Sequence, residues 1–200
     1  MPVMTCQHRS KHSQKMCSER ADALGHHAVS CKIGGHQYAV HGRSCHILQQ
    51  AMFQAGYQAL REQIVPELAT ASCPSPQLDL DGWCLQLDER LVIDFTMRHP
   101  EAQRYSGIDA MAKAFKEKHA HYPARAGVSV CAASMEVYGR FGDELAGLLE
   151  FLSHRARQRD YAFGCTPNRW LRRWRVQLSH AAAAFVGRAI QQALVVQRPA

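Results

Sequence analysis

The chain has 200 residues, 46% of them hydrophobic, and a formal charge of +7 at pH 7, with a pI near 9.1. That is enough apolar material for one medium domain, or one domain with a small appendage, and the positive balance suits an anionic partner such as nucleic acid. No apolar run reaches the ~18 residues of a membrane span, and the polar N-terminus excludes a signal peptide, so an intracellular location with mostly reduced cysteines is expected.

Residues 1–16 are polar and basic and read as a disordered or loosely attached arm. The composition then changes. Cys17, His26, His27, Cys31, His36, His41, Cys45 and His46 crowd into residues 17–46, with Gly25, Gly34 and Gly35 supplying turns. Four N/S ligands around two turns suit tetrahedral Zn²⁺. The cleanest set is Cys17, His27, Cys31 and His41, with His26, His36, Cys6 and Cys45 as competitors. His27 and Cys31 are four apart, so one helical turn can present both to one ion. The alternative is an accidental His/Cys-rich loop, and the density of soft ligands favours zinc over it.

A helix is expected over 44–62, with Ser44 as N-cap and Ile47, Leu48, Met52, Phe53, Ala55 and Leu60 as its apolar stripe. Gly56 weakens its middle. Ile64 to Leu68 reads as a short strand carrying Glu67, whose plain reading is an exposed surface carboxylate. Pro74 and Pro76 make 69–77 a loop. Leu78 to Leu87 and Arg90 to Met97 then form a hairpin turned by Asp88-Glu89.

The second strand of that hairpin is the most apolar, β-branched run of the chain, and Asp94 lies inside it. A buried carboxylate is costly unless a proton, a cation or a metal ion pairs with it. Asp79 and Asp81 are two apart, so they project to one face of the first strand as neighbours of Asp94. Carboxylates that converge in this way repel each other unless a cation lies between them, the pattern of a Mg²⁺ site. Two solvated strand-entry aspartates are the simpler alternative.

His99-Pro100 ends the strand. Ile108 to His121 reads as a helix with Lys113, Lys116 and Lys118 on it; a solvated face is the default for the first two, and Lys118 can share a face with Tyr122. Gly127 to Met135 is a second buried strand, 138–142 a turn, and Asp143 caps a helix to about Arg157. A long helix follows from Trp170 to Gln197, preceded by Arg169 and carrying Arg172, Arg173 and Arg175 around Trp170 and Trp174. Arginine with interleaved tryptophan suits phosphate contact and base stacking. It equally suits a helix with its Trp side on the core and its Arg side in water.

Several stretches in this order resemble one family: His27-Ala28-Val29-Ser30-Cys31, Leu80-Asp81, Ile93-Asp94-Phe95-Thr96-Met97-Arg98-His99-Pro100, Lys118 with Tyr122, and Val137-Tyr138-Gly139-Arg140-Phe141-Gly142. Together they resemble the restriction-endonuclease-like domain, with its preceding zinc knuckle, at the C-terminal end of non-LTR retrotransposon reverse transcriptase proteins, a member of the PD-(D/E)xK class. The resemblance covers roughly residues 17–180. It implies an α/β fold with a mixed sheet flanked by helices, a small zinc-binding module at 17–46, and an endonuclease-like domain over 47–200. It implies Mg²⁺ held by Asp81 and Asp94, with Asp79 as rival for the first acid, Lys118 as the catalytic lysine and Glu67 as a third carboxylate. The simplest form of the pattern has a lysine two residues after the second acid, where this chain has Thr96; in the retrotransposon branch the following helix supplies it.

The activity implied is phosphodiester hydrolysis of DNA, or of an RNA/DNA hybrid, held by the zinc module and by Arg169, Arg172, Arg173, Arg175, Lys113 and Lys116. A nuclear location and membership of a larger reverse transcriptase polypeptide follow from the same resemblance. The competing expectation is a zinc-containing nucleic-acid-binding module without catalysis, told apart by whether the acids and Lys118 converge.

Overall fold

A computed structural model describes residues 4–10, 13–22, 24–33, 36–102, 105–122, 128, 130–159 and 165–194. Its first elements are two short antiparallel strands, β1 (Met4–Thr5) and β2 (Arg20–Ala21), and a short helix α1 (His26–Ser30). The arm expected at 1–16 is therefore not loose over its described part: Cys6 and His8 are buried, and the Gln7 amide donates to the Ala193 carbonyl.

Helix α2 (His36–Gln54) crosses the boundary expected at residue 46 and stops well before residue 62. Gly56 is the reason. It has φ +100°, and the amides of Gly56 and Tyr57 donate to Phe53 and Met52 carbonyls, the glycine-terminated helix end in which a left-handed residue turns the chain back on the last turn. The residue expected to weaken a helix instead ends it. The chain then runs as strand β3 (Gln58–Ile64), and Pro66–Leu68 forms a single 3₁₀ turn where a strand was expected.

Strand β4 (Gln77–Cys84) pairs antiparallel with β3 on one side and with β5 (Glu89–Ile93) on the other. β5 in turn pairs parallel with β7 (Val130–Cys131), giving a mixed four-stranded sheet in the order β3-β4-β5-β7. The run expected as one strand from Arg90 to Met97 breaks at Asp94-Phe95 and resumes as β6 (Thr96–Arg98), parallel to β8 (Ser134–Glu136). Across the break the Asp94 amide donates to the Cys131 carbonyl at 3.1 Å and the Thr96 amide to Ala133 at 2.8 Å. The backbone pairing continues while the strand swings, which frees the Asp94 side chain from the regular alternation. Of the strand expected over 127–135, Gly127 and Ser129 lie outside the described residues.

Three helices complete the chain: α3 (Ala110–His121), α4 (Asp143–Gln158) and α5 (Pro167–Leu194). Residues 195–197, expected as the end of α5, lie outside the described residues. The main core joins Leu48 and Met52 of α2, Leu80 and Ile93 of the sheet, Leu145, Leu149 and Leu152 of α4, and Trp170 and Trp174 of α5. Gly82 lies under α2, where a Cβ would meet the movable terminal methyl of Met52. A second cluster gathers Val65, Leu68, Leu78, Val92, Tyr122 and Val128. The molecule is thus mixed α/β, a mixed sheet flanked by helices. No helix among the described residues is long and apolar enough to cross a membrane.

Candidate functional site

The hairpin register decides which aspartates meet. Leu80 stands opposite Ile93 and Asp81 opposite Val92. One step further along the ladder therefore sets Asp79, not Asp81, across from Asp94. The cause is the turn: Cys84 pairs with Glu89, so residues 85–88 form a four-residue loop, with Asp88 at φ +49°, instead of a tight turn at Asp88-Glu89. Asp81 takes a different partner. Its two oxygens accept from Arg90 Nε and Nη2 at 2.9 and 2.8 Å, a bidentate pair, and Arg90 Nη1 donates to Glu67 at 2.8 Å. Asp81 and Glu67 are therefore not part of the convergent group expected from the sequence; they hold the Arg90 side chain between them.

Around Asp94 the group is tight. The residue is 6% exposed. Lys118 Nζ, from the last turn of α3, lies 2.6 Å from its Oδ2. Tyr122, one helical turn on, hydrogen-bonds the same carboxylate. Lys118 and Tyr122 thus reach one group together, as their spacing suggests. α3 is fixed at its other end by Asp109, which caps the amides of Met111 and Ala112 and pairs with Arg140. Those contacts hold Asp109 down to about 2, Arg140 contributing most.

Asp79 is held just as closely. Its Oδ2 accepts the Phe95 amide at 2.7 Å, and His41 Nε2, projecting from α2, lies 3.3 Å from Oδ1. Nε2 is also 3.1 Å from the Phe95 carbonyl, and Nδ1 faces the Cys45 thiol at 3.8 Å. Asp79, with Cys45 next, pushes His41 up to about 10, against burial, so the ring is an imidazolium at neutral pH. Burial pulls both carboxylates upward. For Asp79 it is outweighed by His41, the Phe95 amide and Asp94, and its value falls. For Asp94 burial wins over Lys118, and its value rises. Two neighbouring carboxylates pushed in opposite directions titrate as a pair, not as two independent groups. His41, Cys45 and Asp79 bring one ligand atom each within 4.8 Å of one another, a mixed N/S/O set that could hold a metal ion.

The second cluster is N-terminal. Cys6, Cys17, His27 and Cys31 bring one ligand atom each within 4.8 Å of one another. Cys17 Sγ is 3.4 Å from His27 Nε2, and Cys6 Sγ is 4.0 Å from Cys31 Sγ. A tetrahedron built on Zn–S bonds of ~2.3 Å has S···S edges of about 3.8 Å, so these four could hold zinc with little movement. The β1–β2 pair brings Cys6 and Cys17 together: the Cys6 amide donates to Glu19 and the Cys17 amide to His8. Asp22 accepts the amides of His26 and His27 at 2.9 and 2.6 Å and so orients α1. Burial, with Cys31 and Cys17 close by, pushes the Cys6 thiol up to about 12; a bound metal would reverse that, since it binds thiolates. Three of the four ligands expected from the sequence are here. The fourth, His41, stands beside Asp79 instead, and Cys6 takes its place. Only the ligand type marked Cys6 in the sequence; its eleven-residue separation from Cys17 through polar chain gave no spacing signal.

The basic helix resolves into two faces. Trp170 and Trp174 are buried, and Trp170 Nε1 donates to Gln54 at 2.9 Å, so neither indole is free to stack on a base. Arg169, Arg172 and Arg173 are exposed, while Arg175 pairs with Glu150 at 3.1 Å. Arg172 and Arg175 line a shallow groove along α5 with Asn168, Ser179 and His180. On α3, Lys116 is exposed and Lys113 lies 5.4 Å from the Tyr105 ring centre. Compared with protein-family models, with curated proteins and with solved structures, the chain matches none.

Proposed function

We propose that the chain is a metal-dependent endonuclease-like domain that hydrolyses DNA phosphodiester bonds, of the restriction-endonuclease-like, PD-(D/E)xK kind found in non-LTR retrotransposon proteins. One observation carries the reading: Lys118 Nζ lies 2.6 Å from Asp94, a carboxylate set across the hairpin from Asp79. Lysine supplied by the helix answers the Thr96 position, where the strand supplies none.

In this reading Asp79 and Asp94 hold Mg²⁺, which would polarise the scissile phosphate and lower the pKa of its bound water. The Phe95 amide and His41 fix the Asp79 carboxylate in place. Lys118, tethered by Asp94, stands where it can orient the attacking water or donate to the phosphoryl oxygens as charge builds on them. The exposed Arg169, Arg172 and Arg173 would hold the DNA backbone, and the N-terminal cluster with zinc bound would brace the opposite, C-terminal end of α5.

A second reading, a nucleic-acid-binding module without catalysis, draws support from charge balance, since the Lys118 ammonium and the His41 imidazolium already neutralise two carboxylates. Plasmid cleavage separates the two. The nuclease reading expects nicking or cutting that requires Mg²⁺ and is lost, by about 10²-fold or more, in Asp94→Ala with an unchanged circular-dichroism spectrum. Equal cleavage by both proteins, or none by the wild type at any Mg²⁺ concentration, would sink it.

A further inference from the structure

Beside the acid pair lies a cleft of about 650 Å³ that the chemistry above does not use. It adjoins that centre through His41. His41 forms part of its wall and also touches Asp79, and Thr96, two residues past Asp94, forms another part. Val29, Met97 and Phe185 give it an apolar floor, drawn from α1, β6 and α5. Gln37, whose Nε2 donates to the Val29 carbonyl at 3.4 Å, adds an amide oxygen that could meet the edge of a base. At the rim, Tyr38 is 83% exposed and the Lys32 side chain is exposed. A tyrosine that exposed contributes nothing to the core, and beside a lysine it offers a ring face and a cation together. The volume is within the roughly 300–1,000 Å³ range of small-molecule pockets. It therefore suits one nucleotide and is too small to take a paired duplex.

We propose that this cleft binds an unpaired nucleotide of a DNA strand lying across the Asp79–Asp94 pair, so that the preferred substrate is DNA with unpaired bases at that point. The inference rests on the nuclease reading for what the strand is doing there, and deepens it by naming the substrate class. Apolar floor and aromatic rim take the base, Lys32 takes the flanking phosphate, and a base already unpaired saves the unstacking cost that a paired one would impose.

The test is fluorescence-anisotropy binding, in Ca²⁺ buffer, of a labelled duplex and of the same duplex with a central mismatched bubble. Stacking is worth ~1–3 kcal/mol per base, so wild type should bind the bubble about tenfold more tightly. Tyr38→Ala should bring the two affinities to within about twofold, and Tyr38→Phe should restore the difference. Equal affinities in the wild type, or a preference that survives in Tyr38→Ala, overturn the proposal. Cleavage of the same two duplexes in Mg²⁺ keeps the two readings separable. A protein that cuts both but prefers neither retains its nuclease assignment and loses the cleft's role. One that prefers the bubble and cuts nothing keeps the cleft and loses the nuclease.

Discussion

Asp79 and Asp81 are two residues apart on one strand and do different things. A strand advances ~3.4 Å per residue, so Asp81 is displaced about 7 Å along β4 from the point where Asp79 faces Asp94. Arg90 fills that offset and holds Asp81 by two hydrogen bonds. The need for a partner to Asp94 was legible in the sequence, because a carboxylate inside an apolar run cannot stand alone. Which aspartate would meet it was not, because the register depends on a four-residue loop that has no Asn-Gly or Gly signal. His41 is the other residue whose place could not be read. Its position in a cluster of soft ligands suggested zinc, whereas α2 carries it past that cluster to Asp79. Its charge has a consequence for stability. The folded protein favours the imidazolium, so the contribution is full below the ordinary value of 6.5 and is lost as pH rises through about 10. The wild type should therefore lose more thermal stability between pH 7 and pH 10 than His41→Gln does, and parallel melting curves would contradict the pairing.

At the scale of elements, periodicity located what was amphipathic and missed where the chain changes kind. α4 runs Asp143–Gln158, close to expectation, because its leucines repeat at helical spacing between clear ends. α2 and β3 were read as one helix because Leu60 extended the apolar stripe; Leu60 in fact sits exposed on an edge strand. Glycine in the left-handed region overrode the stripe. On α5 the sequence left two readings of the Arg/Trp pattern, and burial of both indoles selects the one with Trp inward. Under the proposed nuclease reading, the exposed guanidinium groups are the ones left to meet phosphate. Arg172→Glu with Arg173→Glu should weaken DNA binding and flatten its salt dependence, with the log–log slope reduced by about 2 if each arginine meets one phosphate. An unchanged slope would place the DNA elsewhere.

Over the whole molecule, the N-terminal cluster is tied to the far end of the last helix. The Cys6, Cys17 and Cys31 cluster packs against Ala193 and Ile190 of α5, and His8 hydrogen-bonds the Ala189 carbonyl. The N-terminal segment, read as a loose arm followed by a separate module, is thus packed onto the end of the chain's longest helix. No local pattern reports a contact between residues more than 180 positions apart. If zinc is bound by Cys6, Cys17, His27 and Cys31, purified protein should carry one equivalent. Cys6→Ser should lose the metal and melt at lower temperature, while His41→Ala keeps its zinc. Zinc lost from His41→Ala and retained in Cys6→Ser would reverse the ligand assignment.

In the proposed nuclease, Asp79 and Asp94, with Lys118, form one cation-dependent centre and Asp81 stands outside it. Plasmid cleavage in Mg²⁺ by Asp79→Asn and Asp81→Asn tests this most directly, because the two substitutions are chemically identical and two residues apart. Asp79→Asn should lose about 10²-fold or more of the rate in a protein that stays folded, while losing the stability that pairing with His41 supplies. Asp81→Asn should cleave at near the wild-type rate while losing about 1–3 kcal/mol of stability, since Arg90 keeps its burial and, of its two carboxylate partners, is left with Glu67 alone. Activity retained in Asp79→Asn and abolished in a folded Asp81→Asn would contradict the account.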